Sequence, residues 1–260
     1  MLALVTGASS GIGLAIARYL ASLRYDLILT ARDAGRLEHA GKELAAAGVS
    51  VRTARYDLAD RKACVSLHDE MKDLPVDFLV NCAGLGVYGP FAETDLEKEL
   101  RMIDVNVTAV HILTKLFLRD MMGRGRGVIL NVGSSAGFMA GPLFAGYYAS
   151  KNYVVRLTEA IHEELRRAGS PVKISVLCPG PVDTPFNRTA GIDRPLPGQA
   201  AAFAAKKGVD GALAGQMLVV PGAMMKLGVV LSRFPGDRLM TRITYRIQST
   251  KGGRGHAETG

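Results

Sequence analysis

The sequence predicts an α/β fold in which helices cover both faces of one parallel sheet. Two observations carry this prediction. Short apolar segments alternate with segments of helical periodicity along most of the chain, as in parallel strands joined by helices. A glycine-rich turn also connects the first apolar segment to the first helical one, at the sheet edge where such folds place their ligand sites.

Seven short apolar segments are predicted as strands. They cover residues 2–5, 27–30, 49–54, 76–80, 128–132, 173–177 and 216–220. Most are rich in Leu, Ile and Val, which suits strands that are buried on both faces. The connections between neighbouring parallel strands are expected to be right-handed.

Helices are predicted between these strands, at residues 11–23, 34–47, 62–72, 107–121 and 147–167. Within the first, Ile12, Ile16 and Leu20 recur at helical spacing. Thr94 and Glu97 have the spacing of a capping box and predict another helix start. The Pro/Gly-rich residues 179–198 interrupt the alternation, and we interpret them as a loop or lid over a site within a single domain.

Composition indicates a globular chain from a reducing compartment. The 260 residues are 48% hydrophobic and 22% charged, and the three cysteines include no CxxC pair. The cysteines and the five scattered histidines predict neither disulfides nor a metal site. We expect no signal peptide and no membrane-spanning helix, and hence a cytoplasmic location.

The net charge of +8 is concentrated near the C-terminus, where residues 224–260 carry seven Lys/Arg and two Asp/Glu. We interpret this segment as a solvated basic surface. Nucleic acid is not expected as a partner, because no nucleic-acid-binding motif accompanies the charge.

The glycine-rich turn predicts a dinucleotide site. Its glycines allow the backbone to turn tightly and approach a pyrophosphate, while the following helix start offers free N–H groups and a positive dipole end. The residues assigned to this site are Gly7, Ser9, Ser10, Gly11, Ile12 and Gly13.

The spacing GxxxGxG resembles the TGxxxGxG motif of the short-chain dehydrogenase/reductase family, and other motifs agree. Residues 81–84 resemble the family's NNAG, with Cys82 in place of the second Asn. Tyr147 and Lys151 fit YxxxK, and Ser134 lies thirteen residues before Tyr147. Residues 179–184 resemble PGxVxT, so that the match covers about residues 2–222.

The resemblance implies a Rossmann-type doubly wound sheet of order 3-2-1-4-5-6-7, and a homodimer or homotetramer. It implies catalytic roles for Asn106, Ser134, Tyr147 and Lys151, with Asp57 holding the adenine ring. The further cofactor contacts that it implies are Leu58, Asn81, Ala83, Gly84, Tyr147, Lys151, Pro179, Gly180, Val182 and Thr184.

Residues 31–33 predict NADP(H) as the cofactor. Ala31 stands where NAD-preferring members carry an acidic residue, and the guanidinium of Arg32 is suited to a 2′-phosphate. Asp33 argues for NAD if it faces the ribose, but we expect it to cap the next helix.

The catalytic chemistry is predicted from the spacing of Tyr147 and Lys151, which share one helix face. A nearby ammonium and a cationic nicotinamide are expected to lower the tyrosine pKa from about 10, so that Tyr147 acts as general acid and base. From the family, Ser134 is expected to bind the substrate oxygen and Asn106 to hold a water linking Lys151 to solvent. Tyr148 is expected to point away into packing.

These residues predict an NADPH-dependent carbonyl reductase or alcohol dehydrogenase. The alternatives are an NAD-linked alcohol dehydrogenase and a non-catalytic dinucleotide sensor or scaffold. The residues expected to border the pocket are mainly apolar, which favours a hydrophobic ketone, aldehyde or alcohol. They are Leu85, Val87, Tyr88, Phe138, Met139, Leu143, Phe144 and Phe186.

Residues 1–222 form the predicted catalytic domain, and residues 223–260 form a basic and apolar extension. Residues 224–231 and 239–247 have helical character. Three interpretations are open: packing on the domain or on a partner subunit, a lid on the substrate site, or peripheral contact with an anionic membrane. The last ten residues, 251–260, are expected to be disordered.

Overall fold

A computed structural model describes residues 1–232, 234 and 236–252 and confirms the predicted sheet. All its neighbouring strands are parallel, in the order β3-β2-β1-β4-β5-β6-β7. The strands are β1 (Leu2–Thr6), β2 (Asp26–Ala31), β3 (Val51–Arg55), β4 (Val76–Asn81), β5 (Val128–Val132), β6 (Lys173–Leu177) and β7 (Leu218–Val219).

The helices are α1 (Gly11–Ser22), α2 (Ala34–Ala45), α3 (Arg61–Met71), α4 (Leu96–Ile103), α5 (Val110–Arg124), α6 (Ala145–Arg167), α7 (Phe186–Thr189), α8 (Ala201–Leu213), α9 (Ala223–Leu231) and α10 (Asp237–Ser249). A π-helical turn, Asp104–Ala109, joins α4 to α5, and a 3-10 turn, Ser135–Phe138, follows β5.

Both faces of the sheet are buried, because successive strand residues enter different apolar cores. Val5 of β1 packs in the core that includes Ile16 of α1 and Val209 of α8. Leu4, its neighbour, packs in the opposite core, which includes Phe117 of α5. This arrangement explains why the central strands are largely apolar, whereas the edge strand β3 exposes most of its residues and carries polar ones.

Helix α8 was not predicted, and its small residues explain why. A Cβ atom at Gly208 would lie 2.7 Å from Leu177 of β6, and one at Gly211 would lie 2.4 Å from Val219 of β7. The glycines therefore let α8 approach the sheet closely. The same small side chains weaken the apolar periodicity by which a helix is predicted from sequence.

The start of α4 differs from the capping-box prediction by one residue. Asp95, not Thr94, is the N-cap, and its carboxylate accepts a hydrogen bond from the Lys98 N–H at 2.9 Å. The Thr94 hydroxyl instead donates to Phe91 O and to the Glu99 carboxylate.

The helical character predicted for the C-terminal segments is confirmed by α9 and α10. Helix α10 packs on the loops that precede α6, since the buried Thr244 donates a hydrogen bond to Ala140 O at 2.9 Å. Of the segment expected to be disordered, residues 253–260 lie outside the described part. Among the described helices, none has both the length and the apolar character needed to cross a membrane.

Candidate active site

A cleft of about 680 Å³ opens at the carboxyl ends of the strands, where β1, β4, β5 and β6 pass into loops. This is the edge at which open parallel sheets bind ligands. The predicted site residues that line it are Gly7, Ser9, Ser10, Gly11, Ile12, Gly13, Arg32, Leu58, Ala83, Gly84, Ser134, Tyr147, Lys151, Pro179, Gly180, Val182 and Thr184.

The glycine loop is held against the segment that follows β4. Gly7 has φ +67°, and a Cβ there would lie 2.8 Å from the Ala83 Cα. The Thr6 hydroxyl accepts hydrogen bonds from the N–H groups of Cys82 and Ala83, at 2.9 and 3.1 Å. Thr6 thus ties two walls of the cleft together, a role that sequence reasoning did not assign to it.

The start of α1 offers donors to an anion. Its N-cap, Ser10, makes no side-chain capping bond, so the hydroxyl leaves the first-turn N–H groups free. The backbone of Gly11, Ile12 and Gly13 lines the cleft beside these donors. This donor set, with the positive end of the helix dipole, fits a dinucleotide pyrophosphate.

The end of β2 carries the residues that were predicted to select the cofactor. The Asp33 carboxylate accepts a hydrogen bond from the Arg36 N–H at 3.0 Å, which confirms Asp33 as the N-cap of α2. It also pairs with the Arg36 guanidinium at 3.3 Å. Arg32 lines the cleft next to Ala31.

Three of the four predicted catalytic residues meet in the cleft. Ser134 lies at the end of β5, and Tyr147 and Lys151 lie one turn apart near the start of α6. The Lys151 ammonium donates a hydrogen bond to Val132 O at 2.9 Å, and its Nζ lies 5.8 Å from the centroid of the Tyr147 ring. Ser134 hydrogen-bonds the Tyr147 hydroxyl.

The proton affinities of this pair follow from burial. Burial raises the pKa of Tyr147 to about 12, although the Ser134 hydrogen bond acts in the opposite direction. Burial also lowers the pKa of Lys151 to about 8. Among the groups of the protein itself, desolvation of the phenolate sets the direction of the Tyr147 pKa shift, and the lowering expected with a cationic nicotinamide stays a prediction.

Asn106 lies behind the cleft wall and does not line the cleft. It is buried in the π-helical turn, where its carbonyl oxygen accepts from the Leu85 N–H at 2.8 Å. Its amide donates to Leu85 O at 2.9 Å and to the Ser150 hydroxyl at 3.0 Å. Asn106 therefore fixes the loop after β4 against α6, and π turns often occur where a helix must present such a residue.

Two predicted cofactor residues also lie outside the cleft lining. Asp57 forms an ion pair with Arg101 at 2.6 Å. The Asn81 amide donates to Thr114 and Asn131 within the buried sheet region, at 3.0 and 2.9 Å. Their contacts brace the elements that carry the cleft.

The substrate side of the cleft has an aromatic wall. Phe144 stacks on Tyr147 with ring centroids 4.4 Å apart, and Phe186 lies 5.3 Å from Tyr147. Leu85 is the third predicted apolar residue in the lining. The other five predicted residues, Val87, Tyr88, Phe138, Met139 and Leu143, do not line the cleft. The 179–198 loop contributes three apolar lining residues that were not predicted, Ile192, Pro195 and Leu196.

Tyr148 and the C-terminal segment complete this side. Tyr148 lines the cleft, contrary to the expectation that it points away, and its hydroxyl is hydrogen-bonded by the Gln248 amide of α10. Lys251 also lines the cleft. No sequence signal identified Gln248 or Lys251, because their position depends on how the chain returns to the domain after β7.

Known proteins resemble this chain in sequence and structure. A family model described as short chain dehydrogenase matches residues 1–195. Galactitol 2-dehydrogenase (L-tagatose-forming) of Cereibacter sphaeroides is 40% identical over 185 residues, which cover 70% of this chain and 71% of that protein.

Two solved structures share the fold. A short-chain dehydrogenase from Sphingobium yanoikuyae in complex with NADPH has a TM-score of 0.81 at 26% identity, covering 100% of this chain and 98% of that one. A short chain dehydrogenase/reductase from Burkholderia phymatum in complex with NAD has a TM-score of 0.81 at 28% identity, covering 89% and 92%. Because one of these structures holds NADPH and the other NAD, structural similarity alone does not indicate which dinucleotide this chain binds.

Proposed function

The chain belongs to the short-chain dehydrogenase/reductase family of oxidoreductases, and from that premise we propose that it reduces the carbonyl group of a hydrophobic ketone or aldehyde with NADPH. One observation carries the proposal. Ser134, Tyr147 and Lys151 converge in the same cleft that the uncapped start of α1 lines.

The dinucleotide, when bound, supplies or accepts the hydride. The residues that would hold it are the glycine-loop backbone at the α1 start, Arg32 near the adenosine ribose, and Lys151 at the nicotinamide ribose. The free N–H donors and the guanidinium match its anionic groups in charge.

Tyr147 is the general acid for reduction. As negative charge develops on the substrate oxygen, the Tyr147 hydroxyl donates its proton to that oxygen. Ser134 hydrogen-bonds Tyr147, and when the substrate binds, the single hydroxyl proton of Ser134 turns to the substrate oxygen as a second donor beside Tyr147. In alcohol oxidation the two residues act in reverse, with Tyr147 accepting the proton.

Lys151 supports the proton transfer through its charge. With a pKa of about 8, the ammonium is protonated at neutral pH. It therefore stabilises the phenolate that Tyr147 becomes after proton donation. Asn106 acts as a positioning residue, because it holds the Leu85 backbone and the Ser150 hydroxyl next to this helix.

The preference for NADP(H) rests on residues 31–33. Ala31 places no carboxylate at the end of β2, and Asp33 is engaged in capping α2. Arg32 is then the charged side chain available to a 2′-phosphate at this position. An NAD-linked alcohol dehydrogenase is the competing assignment, which the measured cofactor preference decides.

The C-terminal extension, 223–260, is proposed to pack on the catalytic domain as part of the substrate site. Two hydrogen bonds support this packing: Thr244 donates to Ala140 O in the loop before α6, and the Gln248 amide donates to the Tyr148 hydroxyl of α6. Assembly into a homodimer or homotetramer and a cytoplasmic location stay predictions.

Peripheral membrane contact of the extension also stays a prediction. Met224, Leu227 and Leu231 of α9 are exposed, which suits an interface with anionic lipid. Sedimentation with anionic liposomes, compared between the full chain and a chain ending at residue 222, tests it.

The first experiment measures NADPH and NADH oxidation with a panel of hydrophobic ketones and aldehydes. Turnover with NADPH that is lost in Tyr147→Phe supports the proposed reaction. Equal turnover by the variant would overturn the catalytic assignment. Tight NADPH binding without turnover of any carbonyl would favour the sensor or scaffold alternative.

A further inference from the structure

Lys251 is a charged residue in the cleft that the proposed reaction does not use. The other charged side chains in the described lining are Arg32, Asp33 and Arg36 beside β2, and Lys151 at the catalytic centre. The 179–198 loop, whose Arg194 N–H bonds the Lys251 carbonyl, contributes the apolar residues Ile192, Pro195 and Leu196 to the same lining.

The backbone around Lys251 is anchored to both sides of the substrate wall. Its carbonyl accepts a hydrogen bond from the Arg194 N–H at 3.1 Å, and its own N–H donates to Gln248 O at 2.9 Å. Gln248 O also accepts from the Tyr88 hydroxyl at 2.6 Å, while the Gln248 side chain binds Tyr148. The backbone of Lys251 is therefore held beside the substrate side of the cleft.

No ion pair joins Lys251 to a carboxylate of the described residues. Burial lowers its pKa, and among the described residues no carboxylate acts against that shift. A half-buried ammonium in an apolar wall loses hydration, and an anionic group offsets that loss by forming a charge-assisted hydrogen bond. The lining thus pairs an apolar surface with a single cation on the substrate side.

We propose that the substrate is an amphipathic keto acid whose carboxylate binds the Lys251 ammonium while its carbonyl is held at Tyr147. This inference rests on the proposed reductase function and specifies its substrate class. The apolar chain of this keto acid packs along the aromatic wall and the 179–198 loop.

The geometry separates the two polar ends of this substrate. A Cβ at Gly252, next to Lys251, would lie 3.4 Å from the Tyr88 hydroxyl. The Tyr88 ring lies 6.0 Å from Phe144, which in turn stacks on Tyr147. The Lys251 backbone and Tyr147 are thus connected through the rings of Tyr88 and Phe144. We therefore expect a substrate that contacts both residues to carry its carboxylate several bonds from its carbonyl, unlike a 2-keto acid.

The test compares straight-chain keto acids, with a methyl ketone at one end and a carboxylate at the other, against their methyl esters. At the best chain length, the wild-type kcat/KM is expected to favour the acid by about 10- to 100-fold. Lys251→Met should remove this preference through a rise in KM for the acid, with the ester changed less than about twofold, and Lys251→Arg should retain it.

Matched controls separate this inference from its premise. Lys226→Met removes an exposed cation of α9 that does not line the cleft, and should leave the acid preference intact. Equal kcat/KM for acid and ester at every chain length, or an equal loss for both in Lys251→Met, would overturn the role of Lys251 while leaving the reductase function standing. A wild-type protein that reduces none of these ketones, nor any ketone or aldehyde of the wider panel, would overturn the proposed function itself.

A binding measurement addresses the same contact without turnover. Titration calorimetry of saturated carboxylates into the NADPH-loaded protein should show about 10-fold weaker binding to Lys251→Met. The Kd for NADPH should be the same in both proteins. A weaker Kd for NADPH in the variant would instead assign Lys251 to the dinucleotide phosphates and overturn the proposal.

Discussion

The ammonium of Lys151 lies 5.8 Å from the centroid of the Tyr147 ring, and burial desolvates both groups at the same cleft. Desolvation holds the pKa of Tyr147 at about 12 and that of Lys151 at about 8. At neutral pH the tyrosine therefore carries its proton and the lysine its positive charge. This is the protonation state that carbonyl reduction requires of a general acid and its supporting cation.

Replacing Tyr147 by Phe is expected to lower kcat for carbonyl reduction by about 100- to 10,000-fold, because the general acid is removed. The phenyl ring keeps the stack with Phe144, so NADPH binding and the melting temperature should change little. Steady-state kinetics and a thermal melt measure the two effects. Tyr148→Phe is the matched control, and a loss of similar size there would contradict the assignment of the acid to Tyr147.

Replacing Arg32 by Ala is expected to raise the KM for NADPH by about 10- to 100-fold, since a charge-assisted contact to the 2′-phosphate is lost. The KM for NADH should change by less than about threefold. Arg36→Ala is the matched control, because Arg36 is already paired with Asp33. Equal losses for both cofactors in Arg32→Ala would count against NADP(H) selection by this residue.

Local sequence patterns predicted the sheet and much of the cleft because the residues concerned lie either at the end of a strand or in a short spacing motif on one helix. The glycine loop follows β1, Ser134 follows β5, and Tyr147 lies in the first turn of α6, so the same patterns predict the fold and the site. Gln248 and Lys251 reach the cleft through the return of the chain after β7, and the helical character of residues 239–247 does not predict where that helix packs. The pKa of Tyr147 depends on burial, which residue spacing does not reveal.

Replacing Gly13 by Ala is expected to lower the free energy of unfolding by about 2–4 kcal/mol and to weaken dinucleotide binding. The added Cβ would lie 2.3 Å from Gly7 O, a backbone atom of the same loop, so the loop must shift. Gly123→Ala in α5 is the control, because no atom lies within 4 Å of its Cβ position. That change should stabilise the helix by up to about 1 kcal/mol. Denaturant unfolding and NADPH titration check both variants.

Replacing Lys151 by Met is expected to abolish activity while raising the free energy of unfolding at pH 7 by about 1–3 kcal/mol, because a desolvated ammonium is removed. The lost hydrogen bond to Val132 O reduces the gain. Urea unfolding of both proteins at pH 7 measures this change in the free energy of unfolding. A destabilised variant would contradict the view that Lys151 is kept for chemistry at a cost in stability.

The pH dependence of the same variant tests the lowered pKa of Lys151 directly. Between pH 8 and 10 the native lysine releases its proton, with a pKa of about 8, whereas the unfolded lysine retains its proton up to its ordinary pKa of 10.5. The unfolded chain then binds more protons, so this residue makes stability rise with pH. Tyr147 and the buried thiols oppose the rise as pH increases, since their pKa values are raised. The stability of wild type minus that of Lys151→Met isolates the lysine, and this difference should increase from pH 8 to pH 10. A flat difference would mean that Lys151 titrates normally in the folded protein.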